Sequence, residues 1–265
     1  MSEHPSYVTL RRHGPDDHVA ELVLDRPDAM NAISTDMALA LTAAATTLAA
    51  DPTVRAVVIT SSHPRAFCVG ADLKERHTFT DTDLMRQRPV TRAAYRSVLD
   101  LPMPAIAAID GYALGGGYEI ALSCDTIVAS SAATIGLPEV SVGVIPGGGG
   151  TQLLTRRVGA AAASLTIFTA ARIDATRAHQ QGLIDMLTEP GAARDTALAL
   201  ARDIAGHSPV ATRHAKKALR MGMSADLPAG LEIEDACWRA TANSPDRAEG
   251  VAAFVEKRPP RWPGA

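Results

Sequence analysis

Apolar and polar positions alternate over Tyr7 to Arg12 and again over His18 to Leu24, on either side of Gly14-Pro15-Asp16-Asp17. That pattern predicts a β-hairpin. Asp25-Arg26-Pro27-Asp28 ends it, and Ser34 reads as the N-cap of an Ala- and Leu-rich helix running to about Ala50, where Asp51-Pro52 stops it. Ala56 to Thr60 and Ile106 to Ile109 are continuous apolar runs with no polar face, as buried strands have. Between them, residues 74–92 (KERHTFTDTDLMRQRPVTR) are polar and keep no period. They read as a solvated loop or as a mobile wall of a binding pocket, followed by a helix over about 93–100.

Further on, Thr126 to Ala129 and Ala133 to Ile135 predict short strands. Thr151 to Val158 predicts a short helix with Arg156-Arg157 near its C-terminal end, where cations suit the dipole. Helical patterns follow at about 160–169 and 174–181; Gly182 closes the second, and Leu183 to Leu187 reads as a last strand. From residue 193 strand signals vanish. Ser208-Pro209 and Ser244-Pro245 each set a capping residue before a proline at the first helical position. Helices at roughly 193–205, 209–221, 228–242 and 245–257 would make an all-helical C-terminal third, ended by the proline-rich RPPRWPGA.

Composition narrows the function classes. At 265 residues the chain can hold one large domain or two small ones, and with 46% apolar residues it can build a substantial core. No apolar run is long enough to cross a bilayer, and MSEHPSYVTL lacks a secretory pattern, so a soluble cytoplasmic protein is expected. A net charge of -3 without a basic block gives nucleic acid no electrostatic hold. Cys68, Cys124 and Cys237 are odd in number and far apart, which argues against a disulfide framework. The eight histidines form no ligand set with each other or with the cysteines, so no metal is expected.

The chemistry is concentrated in glycine-rich turns. Ile106 to Ile109 breaks at Asp110-Gly111 and passes through Gly115-Gly116-Gly117 into a second apolar run that carries one carboxylate, Glu119. Consecutive glycines suit a bend where bare backbone approaches something closely, and a helix opening there aims unpaired N–H groups at it. Phe67 to Asp72 repeats the arrangement on a smaller scale. Residues 136–151 (GLPEVSVGVIPGGGGT) add a second carboxylate, Glu139, and another glycine run. The alternation of strands and helices could also be a Rossmann fold, but no G-x-G-x-x-G and no Gly-Lys-Ser/Thr is present.

In order and spacing, GADLKE, GYALGGGYEIALSCD, GLPEVSVGVIPGGGGTQLLTRRVG and AFVEKR resemble the enoyl-CoA hydratase/isomerase family, the crotonases. The resemblance implies an α/β fold, a crotonase-like spiral of repeated strand-strand-helix units with an all-helical C-terminal region. Residues 1–192 would form the core with the active site and residues 193–265 a helical oligomerisation region, with the chain assembling as a trimer or a dimer of trimers. It further implies that the backbone N–H groups of Ala71 and Gly116 form an oxyanion hole for a thioester, and that Glu119 and Glu139 act as acid and base. Glu139 is the expected proton donor to the α-carbon. Glu119 is expected to hold the water, with the Gly147 backbone nearby.

By the same resemblance Cys68, Gly70, Ala71, Asp72 and Leu73 would lie along the CoA, Arg26 would approach its phosphates, and Phe254 and Lys257 would reach the CoA of a neighbouring subunit. A core Phe beside a solvated Lys is the competing reading of that last pair. Tyr118, where smaller residues are usual, would narrow the acyl pocket or add a hydroxyl to it, and Ile135 stands where an aromatic is common. Retention of both glutamates favours hydration of a trans-2-enoyl-CoA, with CoA as part of the substrate and no separate cofactor. The alternatives are a Δ3-Δ2 enoyl-CoA isomerase or another enolate-forming lyase and, outside the enzymes, an acyl-CoA-binding or RNA-binding relative without turnover.

Overall fold

The computed structural model describes residues 7–14 and 16–264. Pro15 of the predicted hairpin turn, the first six residues of the segment read for a secretory pattern and the last residue of the C-terminal tail lie outside them. The hairpin is formed by β1 (Val8–His13) and β2 (Val19–Leu24), antiparallel with Val8 opposite Leu24. Helix α1 (Thr35–Ala50) starts as expected, the Ser34 hydroxyl accepting from the Met37 N–H, and leads into β3 (Ala56–Ser61) and β4 (Ala66–Cys68).

Residues 74–92 are not a loop. Asp72 caps the short α2 (Leu73–His77), and Thr80 with Asp83 forms a reciprocal capping box for α3 (Asp81–Leu99), a helix that runs through Pro89. Its buried stripe is Gln87, Thr91, Ala94, Tyr95 and Val98. Two of these positions are polar, which hid the period. Gln87 is satisfied only in the tertiary structure, donating to Thr35 Oγ1 (2.8 Å) and Glu75 Oε2 (3.0 Å).

Next come β5 (Ala105–Ile109), β6 (Tyr112–Leu114), α4 (Gly116–Ser123), β7 (Thr126–Ser130) and β8 (Thr134–Gly136). Helix α5 (Gly150–Phe168) is broken at Gly159, so it forms the two predicted segments end to end. A two-residue strand, β9 (Ile173–Asp174), which the sequence did not announce, precedes α6 (Ala175–Gln180). The last strand, β10 (Met186–Thr188), begins later than expected because Leu183 and Ile184 are drawn into the core. Helices α7 (Ala193–Ala205), α8 (Pro209–Gly222), α9 (Leu227–Ala242) and α10 (Pro245–Glu256) follow close to their predicted bounds.

Two sheets result, one in the order β1-β2-β3-β5-β7-β10 and one in the order β4-β6-β8-β9. Apart from the β1-β2 and β8-β9 pairs, every pairing is parallel. Each of β3, β5 and β7 feeds a short strand of the second sheet, which is the strand-strand-helix repeat. The larger sheet is covered on both faces, and so β2 is buried at all six positions instead of alternating. Ala20, Leu22 and Leu24 join the main core, while Val19 joins Val58, Ile106 and Val128 beneath α7.

One polar residue lies on that second face. Glu21 is buried and receives the Arg194 guanidinium of α7 (Nε 2.6 Å, Nη2 2.8 Å) and the Thr60 hydroxyl (2.8 Å). Burial works to raise its carboxyl, but these donors outweigh it and hold the group down at about 2. Helix α7 is thereby pinned to the larger sheet.

Candidate active site

Two turns that leave strands of the second sheet are pressed together. Gly70 (φ +92°) ends the β4 turn and Gly115 (φ +52°) ends the β6 turn, both in the left-handed half of backbone space that glycine enters without strain. A Cβ on Gly70 would lie 2.9 Å from the Leu114 carbonyl and 3.2 Å from the Gly116 nitrogen, so the two backbones meet where side chains are absent. Ala71 and Gly116, the next residue of each turn, both line one cavity of about 1000 Å³. Among the described residues no acceptor takes either N–H. Gly116 is the first residue of α4, whose opening N–H groups have no partner within the helix.

The same cavity is lined by Glu119 and Glu139. Glu119, on the first turn of α4, is almost wholly buried. Its Oε1 accepts from the N–H groups of Gly148 (2.7 Å) and Gly150 (2.8 Å) at the start of α5. Burial raises its carboxyl; the glycine N–H groups of residues 150, 148 and 147 oppose that shift by stabilising the anion. Glu139 opens a 3-10 turn over Glu139–Val142, and its Oε2 is buried with no partner. Its Oε1 approaches the bare Gly115, 3.0 Å from where a Cβ would stand. Burial, with a smaller push from the nearby Glu119 charge, raises the Glu139 carboxyl to about 7. The two acids therefore differ in kind: one is pinned by donors that favour its charge, while the other keeps one oxygen without a partner, and burial outweighs the help of its own backbone N–H so that it is easily protonated.

Gly70, Leu73 and Gly147 also line the cavity, and the Gly147 carbonyl accepts from Arg88 Nη2 (2.8 Å). Other residues singled out in the sequence lie outside the lining of this cavity. Tyr118 is fully buried on the opposite side of α4 from the cavity lining and donates to the Leu183 carbonyl (2.7 Å), so it neither narrows the pocket nor adds a hydroxyl to it. Cys68 is buried, its thiol pushed up to about 12 by burial and directed to the Asn31 carbonyl (3.0 Å). Ile135 is a core residue.

Asp72 does not line the cavity and caps α2 through the N–H groups of Lys74 and Glu75. Arg26 is held by Asp72 Oδ2 (2.7 Å) and the Ala32 carbonyl (2.8 Å), over the Tyr7 ring, and does not line the cavity. Phe254 is exposed on α10. Lys257 does not share a helical face with it, because Lys257 is the left-handed C-cap (φ +54°). Neither residue lines this chain's own cavity.

Reading the sequence missed Gly148 and Gly150 as the groups that hold Glu119, although a glycine run opening a helix is the signal for such donors. It also missed Tyr95, a buried α3 residue that packs against both Gly116 and Gly148 and lines the cavity. These contacts span 21 and 53 residues, both toward the C-terminus, and nothing local announces them.

Comparison with known proteins identifies the family and the fold. Residues 15–265 match the family described as Enoyl-CoA hydratase/isomerase. The chain is 41% identical over 261 residues to the probable mitochondrial enoyl-CoA hydratase 2 of Arabidopsis thaliana, covering 98% of this chain and 87% of that protein. It is 44% identical over 250 residues to the mitochondrial methylglutaconyl-CoA hydratase of Rattus norvegicus, covering 93% and 79%. The crystal structure of enoyl-CoA hydratase from Bacillus anthracis superposes with a TM-score of 0.94 at 36% identity, over 98% of this chain and 100% of that one. The α/β spiral with a helical C-terminal region, expected from the sequence, is the fold of these proteins.

Proposed function

The chain belongs to the enoyl-CoA hydratase/isomerase family, whose members act on acyl-CoA substrates, and from that premise we propose that it adds water across the double bond of a trans-2-enoyl-CoA to give a 3-hydroxyacyl-CoA. The observation that carries this reading is the unequal pair of acids beside two unoccupied N–H donors. With the thioester oxygen between the Ala71 and Gly116 N–H groups, negative charge developing there is met by fixed dipoles. Losing one such donor typically costs roughly 3 to 4 kcal/mol of transition-state stabilisation.

Glu119, held by Gly148 and Gly150, orients a water and takes its proton as the oxygen attacks C3. The C2–C3 π electrons move toward the thioester, forming the enolate, and Glu139 gives its proton to C2. Afterwards Glu119 is protonated and Glu139 ionised, and one proton passing back between them through solvent resets the pair. No group beyond the CoA of the substrate is called on.

The assay is loss of the conjugated enoyl-thioester absorbance on incubation with crotonyl-CoA and with longer 2-enoyl-CoA chains. No loss with any chain length would reject hydration in favour of isomerisation. We infer further that copies associate through α8 to α10, where Leu219, Leu231, Trp238 and Val251 are exposed. Phe254 and Lys257 would then serve a neighbouring copy.

A further inference from the structure

One side chain inside the reaction cavity has no part in the steps above. Tyr95, on α3, is 8% exposed and lines the cavity together with Gly116 and Glu119. Its ring lies against the Gly148 backbone, with three ring carbons 2.7 Å from where a Cβ on that glycine would stand, so the side chain is held along its length. Its hydroxyl reaches the start of α4 and lies 2.2 Å from the Cβ position of Gly116. Among the described residues that hydroxyl makes no hydrogen bond. A phenylalanine would fill the same space without leaving a polar group unpaired, and a polar atom held this way calls for a partner from outside the chain. We infer that the Tyr95 hydroxyl is a third donor to the thioester oxygen, beside the N–H groups of Ala71 and Gly116. This rests on the reading of those two groups as the oxyanion site.

Direction and charge both fit that role. On a helical residue the Cβ bond and the N–H point to the same side, and an oxygen accepting from the Gly116 N–H stands about 3.5 Å from the Gly116 Cβ position. The phenol oxygen lies 2.2 Å from the same point, within hydrogen-bonding reach of that acceptor. Burial, and after it the Glu119 charge, lifts the phenol well above its ordinary value; Cys68 and Glu139 push the same way and Arg76 opposes. Tyr95 therefore keeps its proton through the neutral range and acts as a donor. A hydrogen bond to a charged acceptor is about twice as strong as one to a neutral acceptor. The hydroxyl gains most as the carbonyl becomes an enolate, and so acts on the transition state more than on the bound substrate.

The test uses Tyr95→Phe and acetoacetyl-CoA, a 3-oxoacyl thioester whose enolate is followed by its near-ultraviolet absorbance. Titrating the bound ligand with pH gives the midpoint of its ionisation. In Tyr95→Phe that midpoint is expected to rise by roughly one to two pH units, the ten- to hundredfold that a hydrogen bond to a charged acceptor contributes. For crotonyl-CoA, kcat should fall by a similar factor with KM within about threefold of wild type. The urea midpoint should not drop, because no partner loses its donor. An ionisation midpoint unchanged in Tyr95→Phe overturns the inference: with kcat lowered, the hydroxyl would serve the attacking water or Glu119 instead, and with the urea midpoint lowered it would be structural. A wild type that ionises bound acetoacetyl-CoA no more readily than the free thioester rejects the oxyanion site and the third donor together. A midpoint that does shift in Tyr95→Phe, in a protein that hydrates no 2-enoyl-CoA, keeps the third donor and rejects hydration alone.

Discussion

Replacing Glu139 with Gln should damage catalysis and strengthen the fold, and the second effect should depend on pH in a direction that the buried carboxyl sets. The Glu139 carboxyl is raised from 4.5 to about 7, first by burial and then by the Glu119 charge. Between those two values the folded state holds a proton that the unfolded chain has lost, so stability falls as pH rises from about 4.5 to about 7 and is level above. At 1.36 kcal/mol per unit the shift corresponds to about 3 kcal/mol, and partial solvent access reduces this to about 2 kcal/mol. Gln is nearly isosteric and does not ionise. Glu139→Gln should therefore match the wild type at pH 4 and exceed it by about 2 kcal/mol at pH 8, measured by urea unfolding at one fixed protein concentration. Turnover of crotonyl-CoA should fall at least ~10²-fold, the usual reach of a positioned acid or base. Near-wild-type turnover would remove Glu139 from the proton transfer. A stability difference independent of pH would refute the raised carboxyl.

Three other outcomes are expected. Gly116→Pro deletes one of the two free N–H groups and drives ring atoms toward the Tyr95 hydroxyl, so turnover should drop at least ~10²-fold with the circular dichroism spectrum retained; an active variant would contradict the oxyanion site. Gly150→Ala would set a Cβ 2.9 Å from Glu119 Oε1 and 2.9 Å from the Pro146 Cβ. It should cost about 1 to 3 kcal/mol in urea unfolding and lower kcat by displacing Glu119, and unchanged kcat would mean that the α5 N-terminus does not position that acid. Tyr118→Phe leaves the Leu183 carbonyl without its donor and should lose about 1 to 2 kcal/mol of stability while kcat stays within about threefold of wild type; a large fall in kcat at unchanged stability would place Tyr118 in the reaction after all.

Local chemistry made much of this protein legible from its residues alone. Ser34, Asp72, Ser208 and Ser244 mark helix starts because a side-chain oxygen satisfies N–H groups two or three residues ahead, an interaction contained in the sequence itself. Continuous apolar runs gave away β3 and β5, and glycine runs beside single carboxylates pointed to the turns and to both acids. Three things were settled only by the tertiary structure. Helix α3 buries Gln87 through Thr35 and Glu75, partners 52 and 12 residues away, so its stripe carries no hydrophobic signature. Every residue of α4 is buried, so no polar face tells which neighbour turns toward the reaction. Glu119 faces the α5 glycines while Tyr118, one residue earlier, faces Leu183. The third is the acid–base difference between the two glutamates, since two N–H groups from the glycine run that opens α5 reach one carboxylate and none reaches Oε2 of the other. Short-range hydrogen bonds and periodicity are written along the chain, whereas the side of a fully buried helix that meets solvent-filled space depends on which distant backbone arrives there.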